Sequence, residues 1–149
     1  MSENIDQAAI VVSCTKLFVD YGRHVDFGDY DKFVDLFAED ASLDLGFKLE
    51  GKDKIRRSMS KRSDELRSRH VLSNISIDVE SETTAQGIAY LSLYRHIGPE
   101  SLADAPVSLT GPAAVGHYSS RFKLTNEGWR IAACSLEFAF KDDAQFPPI

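Results

Sequence analysis

The apolar residues change their period once along the chain. Residues 5–66 carry them at three- and four-residue spacing, and residues 69–140 carry them in the alternation of strands. Helices first and strands afterwards lack the regular alternation that a parallel βαβ sheet needs. They imply an α+β fold, with helices packed over one face of a curved, mostly antiparallel sheet. No repeat or linker interrupts the 149 residues, so they read as one domain, with an ordered core over about residues 5–140.

Ile10, Val11, Cys14, Leu17, Phe18, Tyr21 and Val25 form one stripe on a long first helix that ends near Gly28. Asp29 then caps a short second helix carrying Tyr30, Phe33, Val34 and Phe37. A short strand over residues 41–46 follows, and after Gly51 a charged third helix runs from Lys52 to Leu66. Four strands complete the pattern, at 70–79, 84–97, 114–124 and 129–140, separated by turn-forming residues and therefore antiparallel. The last strand reads as apolar on both faces, with Ile131 and Ala133 alternating with Cys134, Leu136 and Phe138. A sheet covered by helices needs one apolar face only. The second face predicts a homo-oligomer, a dimer or trimer formed through the outer sheet face.

Charge and cysteine content narrow the partners. Seventeen basic against twenty-three acidic side chains give a formal charge of −6, which disfavours nucleic acid and anionic membranes. Two cysteines, Cys14 and Cys134, make no disulfide framework and suit a reducing, cytoplasmic setting. The apolar run 8–14 lacks the basic flank of a signal peptide, and no apolar stretch is long enough to span a membrane. Zinc-type Cys/His spacing, a phosphate-cradling glycine loop and a nucleophile elbow are absent from the sequence, so no metal or cofactor is expected.

The residues that invite a chemical reading are polar groups at inward-facing positions. Asp26 closes the first helix, one residue past Val25 on the apolar stripe. It is either a solvated helix-end carboxylate or half of a pair. His70 opens the first long strand, where a period of two places it on one face with Leu72 and Asn74. If both point inward, the carboxylate would fix the imidazole tautomer and leave the other ring nitrogen as a general base. Tyr94 and His96 share a face of the next strand, and Tyr118 shares one with Ser120. With Phe18, Tyr21, Leu72 and Phe138 they are the expected lining of an apolar pocket between the long helix and the concave sheet. The occupant would be a small-molecule ligand. The loop ending at Pro112 would serve as a lid or an interface arm.

Several segments, in this order and spacing, carry a family resemblance. They are Val25-Asp26-Phe27-Gly28-Asp29-Tyr30, Leu36-Phe37-Ala38-Glu39-Asp40-Ala41, Arg69-His70-Val71-Leu72-Ser73-Asn74, Gly116-His117-Tyr118 and Gly128-Trp129-Arg130-Ile131. The chain resembles the SnoaL-like branch of the nuclear-transport-factor-2-like superfamily, nearest in motif to the scytalone dehydratase and hexachlorocyclohexane dehydrochlorinase group. The resemblance implies a cone-shaped α+β fold and a cofactor-independent lyase or isomerase. His70 would take a proton from carbon and Asp26 would orient it. Asn74 matches the family's asparagine, and His96 falls near the dehydratase's second histidine. Val25 and Leu45 stand where the dehydratase has pocket tyrosines. The dehydrochlorinase's basic residues near Tyr21 and Cys134 are also missing. A non-catalytic binding or assembly domain, or an accessory subunit of a ring-hydroxylating system, is the alternative.

Overall fold

The computed structural model describes residues 6–146. Helix α1 (Gln7–Asp26) starts at Asp6, whose carboxylate accepts the Ala9 N–H at 3.0 Å. It stops because Gly28 takes a left-handed conformation, φ +74°, and lets the Asp29 N–H return to the His24 carbonyl at 2.9 Å. That stop fixes Asp26 on the last helical turn. Helix α2 (Tyr30–Val34) follows, then strand β1 (Phe37–Asp44), strand β2 (Lys48–Glu50) and helix α3 (Lys52–Ser60). Strands β3 (Leu66–Val79), β4 (Thr84–Ile97), β5 (Ala114–Thr125) and β6 (Gly128–Lys141) complete the fold, with a 3-10 turn at Pro99–Leu102.

The six strands form one sheet in the order β2-β1-β6-β5-β4-β3. The four long strands are antiparallel neighbours, as expected, while β1 pairs in parallel with β6. The short strand expected over 41–46 runs from Phe37 to Asp44, the strand β2 was not expected, and two further boundaries differ from the sequence reading. Phe37 opens β1 instead of closing α2, and α3 ends at Ser60, so Leu66 belongs to β3.

Cross-strand register assigns the faces. Ala85, Ala89, Leu91 and Leu93 of β4 and Ala114, Tyr118 and Phe122 of β5 are buried toward the helices. Phe18 meets Phe122 edge-on at 5.3 Å, and Tyr21 lies 4.8 Å from both Phe33 and Tyr118. These aromatics fill the space between α1 and the sheet, so the expected open pocket there is a packed core.

Two bulges reset the alternation. One lies between Ser73 and Ser76, where Asn74 has φ +50°. The other lies opposite Arg121 and Phe122 and puts both Ile131 and Cys134 on the helix side. The two apolar faces expected of the last strand are therefore one face read through a bulge. On the outer side β6 presents residues such as Arg130, Ser135 and Glu137. No described helix is long and apolar enough to cross a membrane.

Candidate active site at the end of the first helix

Asp26 reaches from the last turn of α1 to the edge strand β3 and accepts three hydrogen bonds there. His70 Nδ1 approaches its Oδ1 at 2.6 Å, the His70 backbone N–H donates to Oδ2 at 2.7 Å, and Ser68 Oγ donates to Oδ1 at 2.8 Å. Gly22 makes this approach possible, because a Cβ there would stand 3.1 Å from the His70 carbonyl oxygen and 3.3 Å from the His70 Cβ. The side chains of Asp26 and His70 are 6% and 11% exposed, so the pair sits in a weakly screened environment. A carboxylate at Nδ1 selects the tautomer with its proton there and leaves the Nε2 lone pair free. Nε2 has no hydrogen-bond partner among the described residues. Two grooves flank the pair. One, of about 450 Å³, runs between α1 and β3 past Val19, Arg23, His70 and Leu72. The other, of about 690 Å³, lies between Asp26, Tyr30, Arg62, Leu66 and Ser101.

The remaining expected site residues separate into three groups. Tyr21 and Tyr118 are buried beside the pair, with the Tyr21 ring 6.5 Å from the His70 ring. Burial, with the adjacent Tyr118 phenol, pushes the Tyr21 pKa well above its usual range, and burial also raises that of Tyr118. Phe18 lies deeper, in the packed core.

Tyr94 and His96 stand on the opposite face of the sheet, paired with Arg69 and Arg67. There they border a separate groove of about 220 Å³ beneath residues 106–111. His96 Nε2 lies 3.1 Å from Glu100 Oε2. Neither residue joins His70, because β4 buries its odd-numbered positions. Asn74 is exposed at the bulge, which breaks the alternation that would have aligned it with His70. Phe138 shares the face of Tyr118 but lies past the cover of α1, 41% exposed and 5.7 Å from Phe146.

Three polar residues near the site were not singled out from sequence. Ser68 is buried between Asp26 and Arg62, whose Nη2 donates to Ser68 Oγ at 3.5 Å. Arg95 faces Ser68 across the β3–β4 ladder. Ser68 was detectable, two residues before His70 on the same face. Arg95 followed from the odd phase of Leu91 and Leu93, whereas Arg62 sat in a stretch that read as solvated helix. Among the described residues no group of three or more His, Cys, Asp and Glu side chains comes together as a metal site.

Helices packed against one face of a curved, mostly antiparallel six-stranded sheet define the nuclear-transport-factor-2-like, cystatin-like fold. A model of the SnoaL-like domain matches residues 6–135, and the chain belongs to that family. No curated protein matches it. Among solved structures it is similar to a candidate scytalone dehydratase from Novosphingobium aromaticivorans, at 20% identity over 92% of this chain and 89% of that one, TM-score 0.77. An NTF2-like protein with a cystatin-like fold from the same organism superposes at TM-score 0.72, with 22% identity over 98% and 96% of the two chains. A type 2 hexachlorocyclohexane dehydrochlorinase superposes at TM-score 0.76, with 11% identity over 94% and 92%. At these identities the likeness is one of fold.

Proposed function

We propose that the chain is a cofactor-independent lyase or isomerase that takes a proton from carbon in a small, largely apolar, cyclic or aromatic molecule. The observation that carries this reading is the 2.6 Å Asp26–His70 contact, which leaves His70 Nε2 unpartnered beside a groove. In the reaction Nε2 accepts the proton. The electron pair left on carbon either forms a double bond as a leaving group departs with its own pair (lyase), or takes the proton back from the imidazolium at another carbon (isomerase). Meanwhile the imidazolium is stabilised by the Asp26 carboxylate, already held by Ser68 Oγ and the His70 N–H. Tyr21, its phenol pushed up by burial and its ring 6.5 Å from the imidazole, lies on the inner side of His70, with Tyr118 behind it. The structural neighbours bearing dehydratase and dehydrochlorinase names lend support at the level of fold. A thermal-shift screen of small cyclic compounds would find a ligand, and turnover would then be followed by deuterium uptake from solvent. His70→Ala is expected to lower the rate by about 10²–10⁴-fold, and an unchanged rate would remove His70 as the base.

The packed interior between α1 and the sheet favours a second reading, a binding domain of the same fold whose grooves hold a ligand without converting it. Binding that survives in the wild-type protein with neither isotope exchange nor release of a leaving group selects this alternative. We infer also that copies of the chain associate through the outer sheet face, where Val71, Ile88 and Tyr90 are exposed.

A further inference from the structure

The cations of α3 fall into two sets. Lys52 lies within ion-pair distance of Asp35 and Glu39, at 3.6 and 3.7 Å, and Arg56 meets Asp53 at 2.8 Å. Lys54, Arg57 and the C-cap Lys61 have no carboxylate within 4 Å among the described residues, although Lys16, Lys48, Arg121 and Lys123 elsewhere do. These three stand three and four residues apart, on one face of the helix, where like charges destabilise it. The helix dipole offsets part of that for Arg57 and Lys61 near the C-terminal end, but it works against Lys54 in the first turn.

That face looks into a groove of about 520 Å³, which the β1–β2 hairpin walls with Phe47 and Leu49 and to which Ser58 also contributes. The hairpin turn is fastened, since the Gly46 N–H donates to Asp44 Oδ1 at 3.0 Å and the Leu45 N–H to the Phe47 carbonyl at 3.1 Å. Phe47 is thus held against the groove while 58% exposed. No acidic residue lines the groove, in a chain of twenty-three acidic side chains and formal charge −6. Solvation alone would suit lysines scattered over a surface. It does not account for the exclusion of acids or for an exposed phenyl ring beside the cations.

Three cations without counter-charge call for an anion, and the Arg57 fork suits phosphate oxygens. They span about 10.5 Å of helix axis at ~1.5 Å per residue. Linked charges strung along that line meet all three. A lone phosphate would have to gather two long lysine side chains onto one point, at a cost in their freedom. Phe47 adds a flat face on which a ring can stack. We propose that this groove binds a nucleoside polyphosphate, its phosphate chain along Lys54, Arg57 and Lys61 and its base against Phe47. The groove shares no lining residue with the two that flank Asp26 and His70, so the site is independent of that pair.

The test is calorimetric titration of the full chain with ATP, tripolyphosphate and adenosine, without divalent cations. ATP is expected to bind at low ionic strength and, more weakly, at about 0.15 M. Tripolyphosphate should bind at least about fivefold less tightly, for want of base stacking, and adenosine should give no measurable heat. Lys54→Gln, Arg57→Gln and Lys61→Gln should each weaken ATP binding at least about threefold, each losing one exposed charge contact. Phe47→Ala should bring ATP down to the affinity of tripolyphosphate. All four side chains are exposed, so these variants should keep the wild-type circular dichroism. Lys32→Gln removes an exposed cation of α2 outside the groove and should leave the affinity unchanged. The proposal is overturned if ATP does not bind, if its binding vanishes at about 0.15 M, or if Lys32→Gln costs as much as the groove variants. Undiminished binding in the three glutamine variants of α3 would overturn it too. Tripolyphosphate binding as tightly as ATP, or ATP binding indifferent to Phe47→Ala, would do the same by removing the base.

Discussion

Asp26 is held from three directions by groups of one strand, and this makes it structural as well as chemical. Replacing it with alanine orphans the His70 N–H and the Ser68 hydroxyl. Unmade buried hydrogen bonds of this kind cost about 1–3 kcal/mol. At roughly 2 kcal/mol, Asp26→Ala should lower Tm by about 4–8 °C in a domain of this size. Asp26→Asn keeps an acceptor for the backbone but no longer dictates the tautomer. Nitrogen-15 shifts of the His70 ring should show Nε2 unprotonated in the wild type and a mixture in the variant. Both partners were legible in the sequence because each sat beside an apolar stripe, at a helix end and a strand start, where secondary-structure period fixes direction. Tyr94 and His96 were not placed correctly, since for an isolated strand nothing local says which of its two faces the helices will cover.

The buried acids give a pH dependence whose sign is fixed by burial. Cys14 and Cys134 are pushed up to about 11 and about 12, and Tyr21 and Tyr118 are raised also, all chiefly by desolvation. A group whose folded-state pKa is raised contributes stability that is complete below its unfolded value and lost as pH climbs through the folded one. Unfolded thiols titrate near ~8.5 and phenols near ~10. Melting temperature should therefore be level with respect to these four groups up to about pH 8.5 and fall steadily above it. Native protein at pH 8 should leave both thiols unreacted toward a disulfide reagent, with both reacting after denaturation. Rapid labelling of either thiol in the folded chain would contradict the burial.

At the scale of elements, the seam between α1 and β3 decides the geometry of the site. Gly22 is the contact point, and a methyl group there would press on His70 and on Leu72 Cδ1 at 3.2 Å. In a helix interior, Gly→Ala gains about 1 kcal/mol of propensity, which here is opposed by displacement of β3. Gly22→Ala should thus change Tm by no more than about 2–4 °C while shifting His70 relative to Asp26. Turnover on an identified substrate should drop by as much as ~10²-fold. A variant with wild-type turnover would show that the seam tolerates the movement. The outer side of β3 has a different task. Arg67 donates to the carbonyls of Ser101, Ala103 and Ala105 at 3.0, 2.6 and 2.9 Å, fastening the segment after β4 to the sheet. Arg67→Met should leave Tm nearly unchanged and make residues 98–112 the first site of limited proteolysis. The sequence marked that loop as a lid or arm by its length and its glycine and proline content. It could not show the arginine 38 residues away in sequence that secures it.

For the whole molecule, the same bulges that defeated period-two reading restrict how copies can meet. The sheet has two edges. At one, β2 is three residues long and carries Lys48 and Glu50; at the other, β3 is broken by the Asn74 bulge. Short, charged or bulged edges resist strand addition. Association through the sheet must then be face to face, and Val71, Ile88 and Tyr90 supply the exposed apolar side chains for it on the outer face of β3 and β4. The last strand, which suggested an oligomer in the first place, supplies little of that surface. The proposed contact thus lies on β4 and β3, two and three strands along the sheet from the last strand. Sedimentation equilibrium should give a mass that is a multiple of 16.6 kDa. Tyr90→Glu, which puts a charge at the centre of the patch without touching the helix side, should return the chain to the monomer mass with its circular dichroism unchanged. A monomeric wild type would rule out association through this face, and an oligomer indifferent to Tyr90→Glu would move it to another surface.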